Sequence, residues 1–260
     1  MSAPVLETRD LTIRFGGHVA VDSVSCAFQS GTLTAIVGPN GAGKTTYFNL
    51  MSGQLPASAG SVHLDGEDIT RLSSAERARR GIGRAFQITN LFPNLSVGEN
   101  VRLAVQAKSK GAASLFSRWT SHADWINRAE HFLEAVALAD KRHIAAAALP
   151  HGDKRKLEVA LMMALEPHVF MFDEPTAGMS IDEVPVILDL IKKLKAAGDC
   201  TILLVEHKMD VVRSLADRII VLHNGKLVAD GDPAAVIASP VVQQAYLGAA
   251  AEPETAGSAP

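Results

Sequence analysis

Leu33-Thr34-Ala35-Ile36-Val37-Gly38-Pro39-Asn40-Gly41-Ala42-Gly43-Lys44-Thr45 decides how the rest of the chain is read. The run Leu33–Val37 enters a glycine-rich octapeptide that fits G-x-x-x-x-G-K-[ST] in full, and the helical stretch Thr45–Met51 follows. A flexible glycine turn could carry similar letters, but it would not need a strand before it and a helix after it. The glycines let successive backbone N–H groups converge on phosphate oxygens with no Cβ in the way. The helix adds its positive end. Lys44 supplies a point charge for the outer phosphates, and the Thr45 hydroxyl a ligand for Mg²⁺. Gly38, Pro39, Asn40, Gly41, Ala42, Gly43, Lys44, Thr45 and Thr46 are therefore candidate nucleotide-binding residues.

Outward from this loop, two further runs are continuously apolar, Val169–Phe172 and Ile202–Val205. Strands covered on both faces look like this, as in a parallel sheet shielded by crossover helices. The alternation of such runs with helical stretches predicts an α/β fold. In these sheets ligands sit at the carboxyl ends of the strands. There, Val169-Phe170-Met171-Phe172 ends in Asp173-Glu174. Acidic residues also cap strand ends, so the pair takes its meaning from the phosphate loop: Asp173 can hold Mg²⁺, and Glu174 can polarise the water that attacks a γ-phosphate. A dedicated glutamate base suits hydrolysis, and no acceptor pocket of a kinase is signalled.

Leu11, Ile13 and Phe15 alternate with polar neighbours, as do Val19 and Val21, which predicts half-buried antiparallel strands at the N-terminus. From about residue 88 to 166 the strand signal disappears. Val97–Ala107, Trp125–Ala139 and Asp153–Leu165 have helical spacing, which predicts a helical subdomain inserted into the α/β core. Lys108–Ser121 reads as a mobile loop with Phe116 and Trp119 as its anchors, part of an insert spanning about 108–128. Asn224-Gly225, between Ile219–Leu222 and Lys226–Val228, marks a hairpin. Residues 249–260 read as a disordered tail, which leaves 1–248 as the folded domain.

The 260 residues are 47% hydrophobic and 20% charged, enough for a sizeable core. The 25 Lys+Arg and 28 Asp+Glu leave a net charge of −3, which argues against nucleic acid as a partner. No apolar run approaches the roughly 20 residues of a spanning helix, and no secretory signal is visible. Cys26 and Cys200 read as buried, reduced thiols of a cytoplasmic protein.

These motifs, in this order, resemble the nucleotide-binding subunit of ABC transporters over Leu6–Gly248. Gln87, after Arg84-Ala85-Phe86, stands about where that family has its Q-loop, and His207 where it has its switch histidine. Leu149-Pro150-His151-Gly152-Asp153 occupies the place of the signature L-S-G-G-Q, and Phe15 that of the adenine-stacking aromatic. Arg80–Gln87, Ala177-Gly178-Met179 and the ending Ala245-Tyr246-Leu247-Gly248 are similar to the branched-chain amino-acid uptake group. The lipopolysaccharide-export ATPase shares part of this pattern.

The resemblance implies a P-loop NTPase core, a mixed sheet flanked by helices, with an N-terminal antiparallel β-subdomain and the inserted helical subdomain. It implies ATP hydrolysis that drives import of branched-chain or related hydrophobic amino acids. The alternatives are another ABC system (lipopolysaccharide export, or urea or amide uptake) or a soluble ABC ATPase. ATP and Mg²⁺ are the implied cofactors. Lys44, Glu174 and His207 would be catalytic, and Thr45, Gln87 and Asp173 would hold the metal. Implied partners are a second ATPase subunit, identical or paralogous, two transmembrane permease subunits and, indirectly, a periplasmic or extracellular solute-binding protein. The place of action would be the cytoplasmic face of the membrane.

Several residues keep a second reading. Phe15 could instead continue the core alternation of Leu11 and Ile13. Gln87 could be a polar strand-end residue and His207 a residue at a helix start. In the family, ATP lies between the phosphate loop of one subunit and the signature helix of the other. Lys154, Arg155 and Lys156, in the first turn here, form either an exposed basic face or a set of charges opposing a phosphate or an acidic partner. Pro150 replaces the signature serine and removes a hydroxyl and an N–H, so the ATP site it completes is expected to be the weaker of two. Ser180 replaces the usual aspartate of the D-loop, and Ser180…Glu183 fits a capping box, although Pro185 favours a later helix start.

Overall fold

The computed structural model describes residues 3–85, 91–108 and 123–249. In chain order its elements begin with β1 (Leu6–Phe15), β2 (His18–Phe28), β3 (Leu33–Val37), α1 (Lys44–Met51), β4 (Ala59–Leu64) and β5 (Glu67–Asp68). Next come α2 (Ser74–Arg79), β6 (Ile82–Ala85), α3 (Val97–Lys108), α4 (Ala123–Ala135), α5 (His151–Ala164), β7 (Val169–Asp173), α6 (Val184–Ala197) and β8 (Thr201–Val205). The last are α7 (Met209–Leu215), β9 (Arg218–His223), β10 (Lys226–Gly231), α8 (Pro233–Ala238) and α9 (Pro240–Ala249). The chain divides into two compact units, residues 1–71 with 205–260, and residues 72–204.

In the first unit, β2-β1-β4-β5 form an antiparallel sheet. Strand β3 pairs in parallel with β9, which pairs antiparallel with β10, so this portion of the second sheet is mixed. Every residue of β3 is buried, as a run that is apolar but for Thr34 predicts. Helix α1 turns Tyr47, Phe48, Leu50 and Met51 into the core, each contributing roughly 1.5–3 kcal/mol by burial. The buried Tyr47 hydroxyl lies 2.7 Å from Thr8 Oγ1, which fastens α1 to β1. Arg218 donates to Asp230 at 2.6 Å and lies over the Phe28 ring. The hairpin falls at Asn224-Gly225, both at positive φ, as the sequence predicts.

In the second unit, β8-β7-β6 lie side by side, with β6 and β7 parallel. Gly81 and Gly83 have no space for a Cβ: one at Gly81 would meet the His168 ring at 2.2 Å, and one at Gly83 Pro167 at 2.5 Å. Strand β6 therefore lies flush on the segment that leads into β7. Among the described residues, helices α3, α4 and α5 fall in the stretch where the strand signal disappears.

Four expectations change. Helix α4 ends at Ala135 rather than 139, because Ala137 turns left-handed and folds Leu138 into the core. Helix α5 begins at His151, not 153. Phe15 closes β1 but is 49% exposed, so the core reading fails. Cys26 is buried, whereas Cys200 is half-buried. Residues 109–122 with Phe116 and Trp119, Phe86, Gln87 and the tail 250–260 lie outside the described residues.

Candidate functional site

In the phosphate loop, Gly38 adopts φ 151°, and a Cβ there would meet the Leu222 carbonyl oxygen at 2.1 Å. Gly43 adopts φ 94°, and a Cβ would meet the Ala20 carbonyl at 2.5 Å. No residue but glycine fits at either position without moving backbone. Gly43 is also the N-cap of α1 and provides no side-chain cap. The first amides of the helix thus lack the usual Ser, Thr or Asp oxygen, the arrangement that suits an incoming anion. Lys44 Nζ donates to the carbonyls of Gly38 and Pro39 at 2.7 and 2.8 Å. This holds a largely buried ammonium within the loop. Thr45 and Thr46 follow on α1, half-buried.

The hairpin braces this loop: Gly225 N donates to Ala42 O at 3.1 Å, and Asp22 N to Gly225 O at 2.8 Å. Sequence reading found the turn but not its use, because a contact across 183 positions leaves no local signal. In the same unit, His207 is exposed and stands just beyond β8. Glu206 beside it is buried and accepts from the backbone N–H of His207 at 2.7 Å and of Lys208 at 3.3 Å. That carboxylate fixes the turn carrying the histidine, and the sequence reading passed it over.

In the second unit, Asp173 ends β7 with its side chain 5% exposed, and Arg84 of β6 donates to its Oδ2 at 2.9 Å. Glu174 follows, half-buried, with φ 51°. A non-glycine residue in the left-handed region costs about 1 kcal/mol or more, a strain that persists where the surrounding structure imposes it. Burial pulls the Arg84 guanidinium below its ordinary range, while the Asp173 charge and hydrogen bond oppose that shift.

Also in this unit, the signature segment places Pro150 as N-cap of α5, with no side-chain cap. Leu149 is buried, His151 exposed, and Gly152 and Asp153 buried. Asp153 accepts from Lys141, and from Lys156 at 3.0 Å. Burial pushes its carboxyl up, but these two ammonium hydrogen bonds outweigh that and hold it below its ordinary value. Arg155 pairs with Glu158 at 3.3 Å. The basic first turn is therefore not an exposed face, since two of its three cations meet acids of the same chain.

The Glu183 carboxylate accepts from Ser180 N and Oγ at 3.1 and 3.0 Å. Helix α6 then starts at Val184, with Pro185 in its first turn. The Ser180–Glu183 pair is real, but it belongs to the turn before the helix.

A phosphate loop between β3 and α1, with an acid-terminated buried strand elsewhere in the chain, defines the class of P-loop nucleotide-binding proteins. The ABC transporter family profile matches residues 21–177, and that of the branched-chain amino acid ATP-binding cassette transporters matches residues 226–252. The high-affinity branched-chain amino acid transport ATP-binding protein BraF of Pseudomonas aeruginosa is 38% identical, over 96% of this chain and 100% of its own length. The LivG proteins of Salmonella typhimurium and Escherichia coli K12, which carry the same description, are 36% and 35% identical over 96% of this chain.

Among solved structures, a nucleotide-free ATP-binding cassette from an ABC transporter superposes with TM-score 0.78 at 29% identity, covering 93% of this chain and 98% of that one. The ADP conformation of the cassette MJ1267 also gives 0.78, at 28% identity and 95% coverage of this chain. The chain belongs to the ABC transporter family, as one of its ATP-binding subunits, which are ATPases. Among the described residues no helix is long and apolar enough to cross a membrane.

Proposed function

We propose that the chain hydrolyses ATP to drive import of branched-chain or related hydrophobic amino acids through two transmembrane permease subunits fed by a solute-binding protein. The observation that carries the nucleotide part is the cradle itself: Gly38 and Gly43 without room for a Cβ, opening onto a helix with no side-chain cap. The solute class rests on likeness to BraF and LivG.

Amides of residues 41–46 would hold the phosphate oxygens, and the Lys44 ammonium would exchange the Gly38 and Pro39 carbonyls for them. Phe15, exposed at the end of β1, would stack on adenine. The hydroxyl of Thr45 and the carboxylate of Asp173 are hard oxygen donors of the kind Mg²⁺ takes, and Gln87 would join them. When bound, Mg²⁺ neutralises phosphate charge as the γ-phosphoryl group leaves. Glu174 would accept the proton of the attacking water, and His207 would donate to the γ-phosphate. Leu149–Asp153 would face the phosphate loop of a second ATPase subunit at the cytoplasmic face of the membrane.

The test is reconstitution with the permease subunits and the solute-binding protein in vesicles. ATP-dependent uptake of labelled leucine, isoleucine or valine is expected. Uptake of another solute class with none of these would contradict the assignment.

A further inference from the structure

The strongest feature that the motif roles leave unused is the contact of Arg84 with Asp173. Strand β6 is only four residues long, Ile82–Ala85, and Arg84 is its one charged residue. Its position is fixed twice. The pairing sets Arg84 opposite Met171 and Ala85 opposite Phe172. The absence of room for a Cβ at Gly81 and Gly83 keeps β6 flush against 167–168, where His168 N and Val169 N both donate to Gly81 O at 3.0 Å. The guanidinium thereby reaches Asp173 Oδ2 at 2.9 Å, with the two side chains 6% and 5% exposed.

A buried ion pair is a weak device for stability, because desolvating both charges offsets their attraction and a packed apolar pair often does as well. A carboxylate at the carboxyl end of a buried strand is useful as an ionised, oriented oxygen ligand. Buried at a strand end, it needs a donor that fixes its plane. Arginine meets that need because it offers several donors in a rigid plane and so orients a carboxylate.

We infer that Arg84 is a positioning residue for Asp173: it fixes the plane of that carboxylate, so that Asp173 can serve a divalent cation arriving with the nucleotide. Arg84 acts through Asp173 and not on the phosphates. The inference rests on the ATPase reading of Asp173.

The test measures binding of a fluorescent ATP analogue to the full chain in excess Mg²⁺ and in EDTA. The ratio of the two affinities is the metal increment. The expected result is a normal affinity in EDTA and an increment about tenfold smaller in Arg84→Met. Arg84→Lys, which keeps the charge but loses the planar fork, should fall about threefold. Adding Arg84→Met to Asp173→Asn should reduce the increment no further than Asp173→Asn alone. Melting in EDTA identifies any variant that does not fold, and Arg84→Lys carries the test if Arg84→Met does not. A wild-type increment in the folded variant, an increase, or additivity with Asp173→Asn overturns the inference. If wild-type protein itself shows no metal increment, the assignment of Asp173 has failed instead.

Discussion

The carboxylate of Glu183 lies directly against Gly152: a Cβ on that glycine would come within 2.2 Å of both carboxylate oxygens. The amino end of α5 therefore has an acid of its own chain beside it. Lys156 is 3.6 Å from Glu183, and Ser180 holds the carboxylate by its N–H and hydroxyl. The Ser180 backbone N–H leads the causes that keep the Glu183 carboxyl below its ordinary value. Lys141, Asp153, Lys156, Glu183 and Ser180 form one connected polar chain between the start of α5 and the lead-in to α6.

Gly152→Ala should break that chain. The added methyl group must displace the carboxylate, the flexible end of a side chain, so the loss is that of its hydrogen bonds to Ser180, about 0.5–1.5 kcal/mol. Denaturant unfolding of the purified chain should show this loss. An unchanged midpoint would mean that Glu183 moves aside freely.

Pro150→Ser supplies the missing hydroxyl at the N-cap of α5. Such a cap is worth about 1 kcal/mol, and one that met a phosphate of a partner subunit would act in the ATP-closed state. Turnover of the assembled transporter should rise by about fivefold, the equivalent of that energy. No rise would show that Pro150 does not weaken the site it completes.

Glu174→Gln removes the proposed base while keeping size and hydrogen-bonding capacity. Turnover should fall by about 10²–10⁴-fold with ATP affinity kept, and an ATP-bound dimer should accumulate in size-exclusion chromatography. Near-normal turnover would assign the base elsewhere.

Acid should loosen the start of α5 through Asp153. Its folded-state value lies below the ordinary 3.8, so its contribution to stability is present above 3.8 and fades as pH falls through the lower folded value. Asp153→Asn removes the titrating carboxylate, so its stability curve should be flatter than wild type below pH 4. Parallel acid-unfolding curves would contradict this.

What was legible in the sequence follows from the range of the forces involved. Strand β3, the loop Gly38–Thr45 and α1 are encoded within residues 33–51 by a largely apolar run, obligatory glycines and helical spacing. The same holds for β7 with Asp173 and Glu174, and for the hairpin at Asn224-Gly225. What escaped depends on contacts between distant positions. Gly225 bracing Ala42, Arg84 reaching Asp173 and Glu183 seated on Gly152 each need the tertiary fold before they exist. The basic first turn of α5 was ambiguous for the same reason, since the acids that meet Lys156 and Arg155 are visible only once the chain has folded. The end of α4 was overrun because Leu138 kept the helical period even as the left-handed Ala137 turned it inward.

That the loop from Gly38 to Thr45 grips a triphosphate is decided by calorimetric titration of the purified chain with ATP in Mg²⁺. Saturable binding is expected, and Lys44→Ala should weaken it by about tenfold or more, as for loss of a charged hydrogen-bond donor worth ~1.5–3 kcal/mol. Absence of binding in the wild-type protein, or equal affinity in Lys44→Ala, would refute that grip.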